Sequence, residues 1–116
     1  MTKYRALFHL DEGSAFRLKL TLENIRNLIQ DFGEDNVEVE CVVNGAGVKL
    51  FQTSIAMEHE LINVLMAKGV HFAICENSLV ANRIQKLDIL DGLVFVPSGV
   101  VELVKKQAEG WAYIKP

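Results

Sequence analysis

Cysteine and proline are scarce in this sequence, with two of each among 116 residues. Cys41 and Cys75 make no disulfide framework. They also lack the closely spaced partners that a zinc site needs, so no metal is expected. In a reducing compartment both are thiols. No apolar run approaches the ~20 residues that cross a bilayer. The opening MTKYRALFHLDEG lacks the apolar stretch and small-residue cleavage site of a signal peptide, which makes the cytoplasm the expected setting. Positive charge is not in excess either. A formal charge of −3 gives no electrostatic reason to expect a nucleic-acid or anionic-membrane partner. Proline-rich linkers, low-complexity tracts and repeats are absent, so residues 1–116 read as one domain. Half the residues are hydrophobic and 23% are charged, a balance that argues for a folded chain over a disordered one.

What is present is an alternation of two periodicities. KYRALFHL (3–10) has the length and apolar content of a strand. Leu18, Leu22, Ile25, Ile29 and Phe32 recur at spacings of four and three, which lays one apolar stripe along a helix. Ser14 suits its N-cap and Gly33 its C-terminal stop. VEVECVV (37–43) is a strand ending at the turn signal Asn44-Gly45. A second helix is expected over 53–68, with Ile55, Leu61, Ile62, Leu65 and Met66 apolar and Gly69 closing it. VHFAIC (70–75) follows as a strand, then a short helix over 78–86. LVFV (93–96) is a strand stopped by Pro97, Ser98 caps a helix ended by Gly110, and WAYI (111–114) can add a fifth strand.

The order βαβαβαβαβ implies a mostly parallel sheet with helices on both faces, joined by right-handed crossovers. A flavodoxin-like strand order, 2-1-3-4-5, is the simplest five-strand solution. In such sheets ligands collect beyond the carboxyl ends of the strands. Those ends carry His9 with Asp11 and Glu12, then Asn44-Gly45, then Cys75-Glu76-Asn77-Ser78, then Pro97-Ser98-Gly99. The order 2-1-3-4-5 would set His9 beside Cys75.

Cys75 is open to two readings. A free cysteine is commonly a small buried hydrophobe. A thiol facing a helix start is offered positive dipole and unpaired N–H groups, which favour the thiolate used in disulfide exchange and sulfur transfer. Glu76 works against the second reading, because a neighbouring carboxylate disfavours another negative charge. Cys41, set among valines, reads as structural. His59 matches no metal motif and reads as a solvated helix residue, while His71 reads as a surface residue. NGAGVK (44–49) lacks the third glycine and the lysine–hydroxyl pair of phosphate loops. PSGVVE (97–102) is a generic anion-binding helix start. Lys105-Lys106 sits late in its helix, where cations suit the dipole.

YRALFHLDEG, NIRNLIQDFGEDNVEVECVVNGAGVKLF, GVHFAICENSL and VPSGVVELVKKQAEGWAYIKP together resemble the DsrE/DsrF-like family of small sulfur-relay proteins. The likeness runs from Tyr4 to Pro116, and it is greater to the stand-alone members than to the subunits of the sulfur-oxidation complexes. Its most specific pieces are the N-G-x-G-V-K-L turn, the single cysteine ending the third strand, and the closing GWAYIKP. The resemblance implies a single-domain, flavodoxin-like three-layer α/β fold and assembly into trimers or hexamers. It also implies sulfur carried as a persulfide on the matching position, Cys75, between donor and acceptor proteins and without a cofactor. Relatives often carry a histidine where Asn44 stands, so a proton-transfer role is not implied there.

The leading expectation is a cytoplasmic sulfur carrier or sulfurtransferase-like protein. Cys75 would hold the sulfur, the helix start at Asn77-Ser78 would stabilise the anion, and His9, Asn44, Gly45 and Ser98 would line the pocket. The alternative is a module that binds a small anionic or nucleotide-like ligand without sulfur transfer.

Overall fold

VEVECVV supplies the strand around which the others are laid. The computed structural model describes residues 3–55 and 57–116. Its strands are β1 (Tyr4–Leu10), β2 (Val37–Val43), β3 (His71–Cys75), β4 (Val94–Val96) and β5 (Ala112–Ile114). Its α-helices are α1 (Ala15–Phe32), α2 (His59–Ala67), α3 (Glu76–Ala81) and α4 (Gly99–Ala108). β2 takes the middle of a five-stranded sheet, and six of its seven residues are buried, Glu38 alone being exposed. A strand enclosed on both faces loses the alternation of a half-exposed one, as this run of valines does.

All four strand pairings are parallel, but the order is β4-β3-β2-β1-β5 and not 2-1-3-4-5. The difference follows from which face each helix covers. Side chains of α1, α2 and α3 share one core with Ala6, Phe8, Leu10, Cys41, Val43, Phe72 and Ile74. Leu103 of α4 packs instead with Leu7, Val42 and Ala73, which point to the other face. Right-handed crossovers on one face must step in one direction, so the chain moves from β1 out to β4. Only α4, on the opposite face, can return it to β5 beside β1. Helical periodicity shows that a stripe is apolar; it does not show which face of a sheet the stripe will cover.

The helix ends follow local chemistry. The Ser14 hydroxyl accepts from the Arg17 N–H at 3.2 Å, and Gly33, at φ +90°, returns its N–H to the Ile29 carbonyl. Ser98 accepts from the Val101 N–H at 3.4 Å. The expected helix over 53–68 is shorter, beginning at His59. The segment before it winds as a 3₁₀ turn over Gly45–Phe51 and buries Val48, Leu50 and Phe51. Gly47 permits this, since a Cβ there would lie 2.6 Å from the Leu10 carbonyl oxygen. Ile55 therefore lies outside the helix. α3 starts earlier than the sequence suggests, with Cys75 itself as N-cap, and the chain leaves it through Arg83 at φ +57°.

Candidate functional site at the carboxyl edge of the sheet

Cys75 is the last residue of β3 and faces the α4 side, in phase with Ala73. Only 4% of it is exposed. Because it ends a strand and caps a helix at once, its Sγ accepts from the Ser78 N–H at 3.4 Å. The first turn of α4 closes over it from the other side. A Cβ on Gly99 would stand 3.0 Å from the Asn44 Cβ and 3.3 Å from both the Cys75 Cβ and a Val42 methyl. Any other residue at position 99 would hold this helix start away from the sulfur.

Burial alone raises the Cys75 thiol. It is outweighed by hydrogen bonds from the Ser78 side chain and from the backbone N–H groups of Gly99, Ser78 and Asn77, and the net pKa lies below the ordinary thiol value. The Ser78 and Gly99 N–H groups belong to the first turns of two helices and face one sulfur, and the Asn77 N–H is shared with the Pro97 carbonyl. The Ser78 hydroxyl is held for the task, because its oxygen accepts from the Gly45 N–H at 2.7 Å. Its hydrogen remains free to be donated. Asn82 fastens the same corner, donating to the carbonyls of Ser78 (2.8 Å) and Gly45 (3.2 Å). Glu76, the residue that opposed a thiolate on paper, forms an ion pair with Lys86.

His9 does not lie beside Cys75. With β2 between β1 and β3, its row of the sheet runs His9, Val42, Ala73. Asn44 spans the gap. His9 Nε2 is 2.8 Å from Asn44 Oδ1, and Nδ1 is 2.6 Å from the Tyr113 hydroxyl. An amide oxygen only accepts, so Nε2 carries the hydrogen, and in the neutral ring Nδ1 accepts from Tyr113. The chain Tyr113–His9–Asn44 thereby ends at the residue that shares Gly99 as a neighbour with Cys75.

Of the residues singled out in the sequence, Cys75, Asn44, Gly45 and Ser78 converge directly, and His9 joins through Asn44. The Asn77 side chain is exposed, and its N–H also reaches the Pro97 carbonyl at 3.3 Å, tying the starts of α3 and α4 together. The Ser98 hydroxyl is used to cap α4. Asn82, Tyr113 and Lys86 were not singled out for the site, and Gly99 was named only within the Pro97-Ser98-Gly99 strand end. The PSG turn signalled Gly99; Tyr113 becomes visible only once β5 is known to pair with β1. Cys41 is fully buried, and burial and the nearby Glu40 push its thiol far up. Among the described residues no group of three His, Cys, Asp or Glu side chains could hold a metal ion, and no helix is long and apolar enough to cross a membrane. A cavity of about 640 Å³ opens elsewhere, between α1 and the start of α2, lined by Glu23, Arg26, His59 and Val64.

Fold and site define a class: a parallel α/β protein with one thiol under two helix starts at the carboxyl edge of its sheet. The model of the DsrE/DsrF-like family matches residues 6–116, and the chain belongs to that family. A protein of unknown function from Methanobacterium thermoautotrophicum, MTH1491, is 37% identical and superposes with a TM-score of 0.92 over 98% of this chain and 100% of its own. The YchN protein from E. coli, at 16% identity, shares the fold, with a TM-score of 0.76 over the full length of both chains. No curated protein sequence matches this chain significantly.

Proposed function

We propose that this protein carries sulfane sulfur as a persulfide on Cys75. The observation that supports the reading most is the convergence of one side-chain and three backbone donors on a single sulfur whose pKa is thereby lowered. Thiolate is the attacking species in such exchange. It would attack the outer sulfur of a donor persulfide, breaking the donor's S–S bond, releasing the donor thiol and leaving Cys75–S–S⁻. A second thiol would take the outer sulfur by the same exchange, with no net oxidation. The step needs one thiol and no cofactor. Donor and acceptor would be other proteins, and two free thiols suit a reducing, cytoplasmic setting. Homo-oligomeric assembly, as a trimer or hexamer, belongs to the same proposal. Val100, Val101 and Val104 on α4 and Val94 on β4 leave apolar surface exposed, of the kind that marks interaction faces.

Intact-mass analysis after treatment with a sulfane-sulfur donor tests the central claim. One added sulfur should appear, map to Cys75 and vanish in Cys75→Ser. No adduct, or one unaffected by that substitution, rejects the reading. The alternative, a module for a small anion, has less support. The Ser98 hydroxyl and the Asn77 N–H, which such a ligand would use, already have partners within the fold.

A further inference from the structure

The face of the sheet under α4 holds a second titratable group that the thiol chemistry does not use. Glu40, in the middle of β2, is 6% exposed, and its Oε2 is buried without a hydrogen-bond partner. Carboxylates are almost never buried so deeply unless paired. Among the described residues, the one cation near it in an ion-pair geometry is Lys106 of α4, with Nζ a loose 4.0 Å from Oε1. The carboxyl of Glu102 faces it from α4, and Glu109 adds negative charge from beyond that helix. From the strands on either side, Arg5 of β1 and His71 of β3 lie on the same face, His71 in direct register with Glu40. Arg5 is already engaged with the Glu109 carbonyl. A cavity of about 320 Å³ reaches this cluster, lined among others by Glu40, His71, Lys68, Lys106 and Trp111.

We propose that the carboxyl pair Glu40–Glu102 is a proton-operated clamp that seats α4 on the sheet and thereby controls access to Cys75. The geometry makes α4 suited to such control. It is a ten-residue helix that buries only Gly99 and Leu103. Gly99 is the residue that closes over Cys75, and Glu102 stands three positions further along, one turn away. With one proton between them, the two carboxyls can share a hydrogen bond across the helix–sheet seam. With both ionised, like charges face each other in a poorly solvated place, and one lysine at 4.0 Å does not offset that repulsion. The first turns of α4 then lift, and the thiol beneath Gly99 opens to solvent. Burial, with Glu102 next, raises Glu40 to about 8, so the clamp holds at neutral pH and releases above it. Glu40 acts on Cys75 only through α4, which makes it a positioning residue. The inference about access rests on Cys75 being the reactive thiol; the seating of α4 does not.

Trp111 is the sole tryptophan and lines the cavity beside Glu40, so its fluorescence reports the clamp directly. Between pH 6 and 10, the wild type and Cys75→Ser should both show a transition centred near the Glu40 value, and Glu40→Gln should show none. Above that midpoint, iodoacetamide should alkylate Cys75 several-fold faster per thiolate in the wild type than in Glu40→Gln. A transition that survives in Glu40→Gln, or a wild type without one, overturns the proposal. Equal alkylation rates in the two proteins, with the fluorescence transition present, overturn it as well. If Glu40→Gln fails to fold, Lys106→Met serves: loss of that cation should move the midpoint upward, and an unmoved or lowered midpoint overturns the clamp. A wild type that accepts no sulfur, with the fluorescence transition present in both it and Cys75→Ser, would reject sulfur carriage and leave the clamp standing.

Discussion

Single atoms set the thiol's chemistry. The Ser78 hydroxyl reaches Cys75 while accepting from Gly45. A hydrogen bond to a charged group contributes about 1.5–3 kcal/mol. Ser78→Ala should therefore slow alkylation of Cys75 at neutral pH roughly tenfold or more, with little effect on the rate well above the thiol's pKa, as read from rate–pH profiles. Gly99→Ala tests the opposite wall. Its Cβ would meet Asn44, Cys75 and Val42 side chains at 3.0–3.3 Å, and such overpacking costs about 1–3 kcal/mol. A loss of unfolding free energy of that size, read from urea denaturation, is expected, together with a less acidic Cys75 as the α4 start is pushed back. Cys41 supplies the internal control. With 0% of its surface exposed, it should take no label in the native protein and react only once urea unfolds the chain, so peptide mapping of a native labelling reaction should return Cys75 alone.

At the level of elements, α1 carries the larger core. Leu18, Leu22 and Ile25 are fully buried on it, and Leu22→Ala should cost about 2–5 kcal/mol, measurable by urea denaturation. α4 buries one leucine on the opposite face, and Leu103→Ala should cost less overall while disturbing Cys75 more. This contrast explains what could be read in the sequence. The stripe Leu18–Phe32, the valine-rich β2, and the capping serines Ser14 and Ser98 each carry their own local instruction, and their elements lie where the sequence placed them. The start of α2 does not, because Gly45–Phe51 winds into a 3₁₀ turn for a tertiary reason, the close approach of Gly47 to Leu10. Cys75 could be recognised as the end of a strand beside a helix start, which is a local fact. That a second helix start, at Gly99, also faces it could not, because that depends on which face α4 covers. The expected contact of His9 with Cys75 failed for the same reason, and Asn44 stands in the gap.

Across the whole molecule, the buried Glu40 ties folding to pH with a definite sign. Its folded value is about 8 against 4.5 for the ordinary glutamate side chain, so between those two pH values the folded chain keeps a proton that the unfolded chain has released. Stability is undiminished on this account below about 4.5, falls as pH rises toward 8, and is level beyond it. Asp11 has the opposite sign: the Lys115 hydrogen bond lowers it, so its contribution is lost as pH falls through its folded pKa. Urea midpoints should therefore show Glu40→Gln gaining on the wild type progressively from pH 5 to 8 and holding a constant lead above. The parallel pairing of β5 with β1 has a practical side too. β5 runs toward the same edge as Cys75, Lys115 reaches back to Asp11 at 2.6 Å, and Tyr113 holds His9. A purification tag or reporter joined after residue 116 would emerge at the rim of the thiol site and crowd any incoming donor. One joined before β1 would leave from the far edge, which makes the amino-terminal side the place to tether this protein when its thiol is to be assayed.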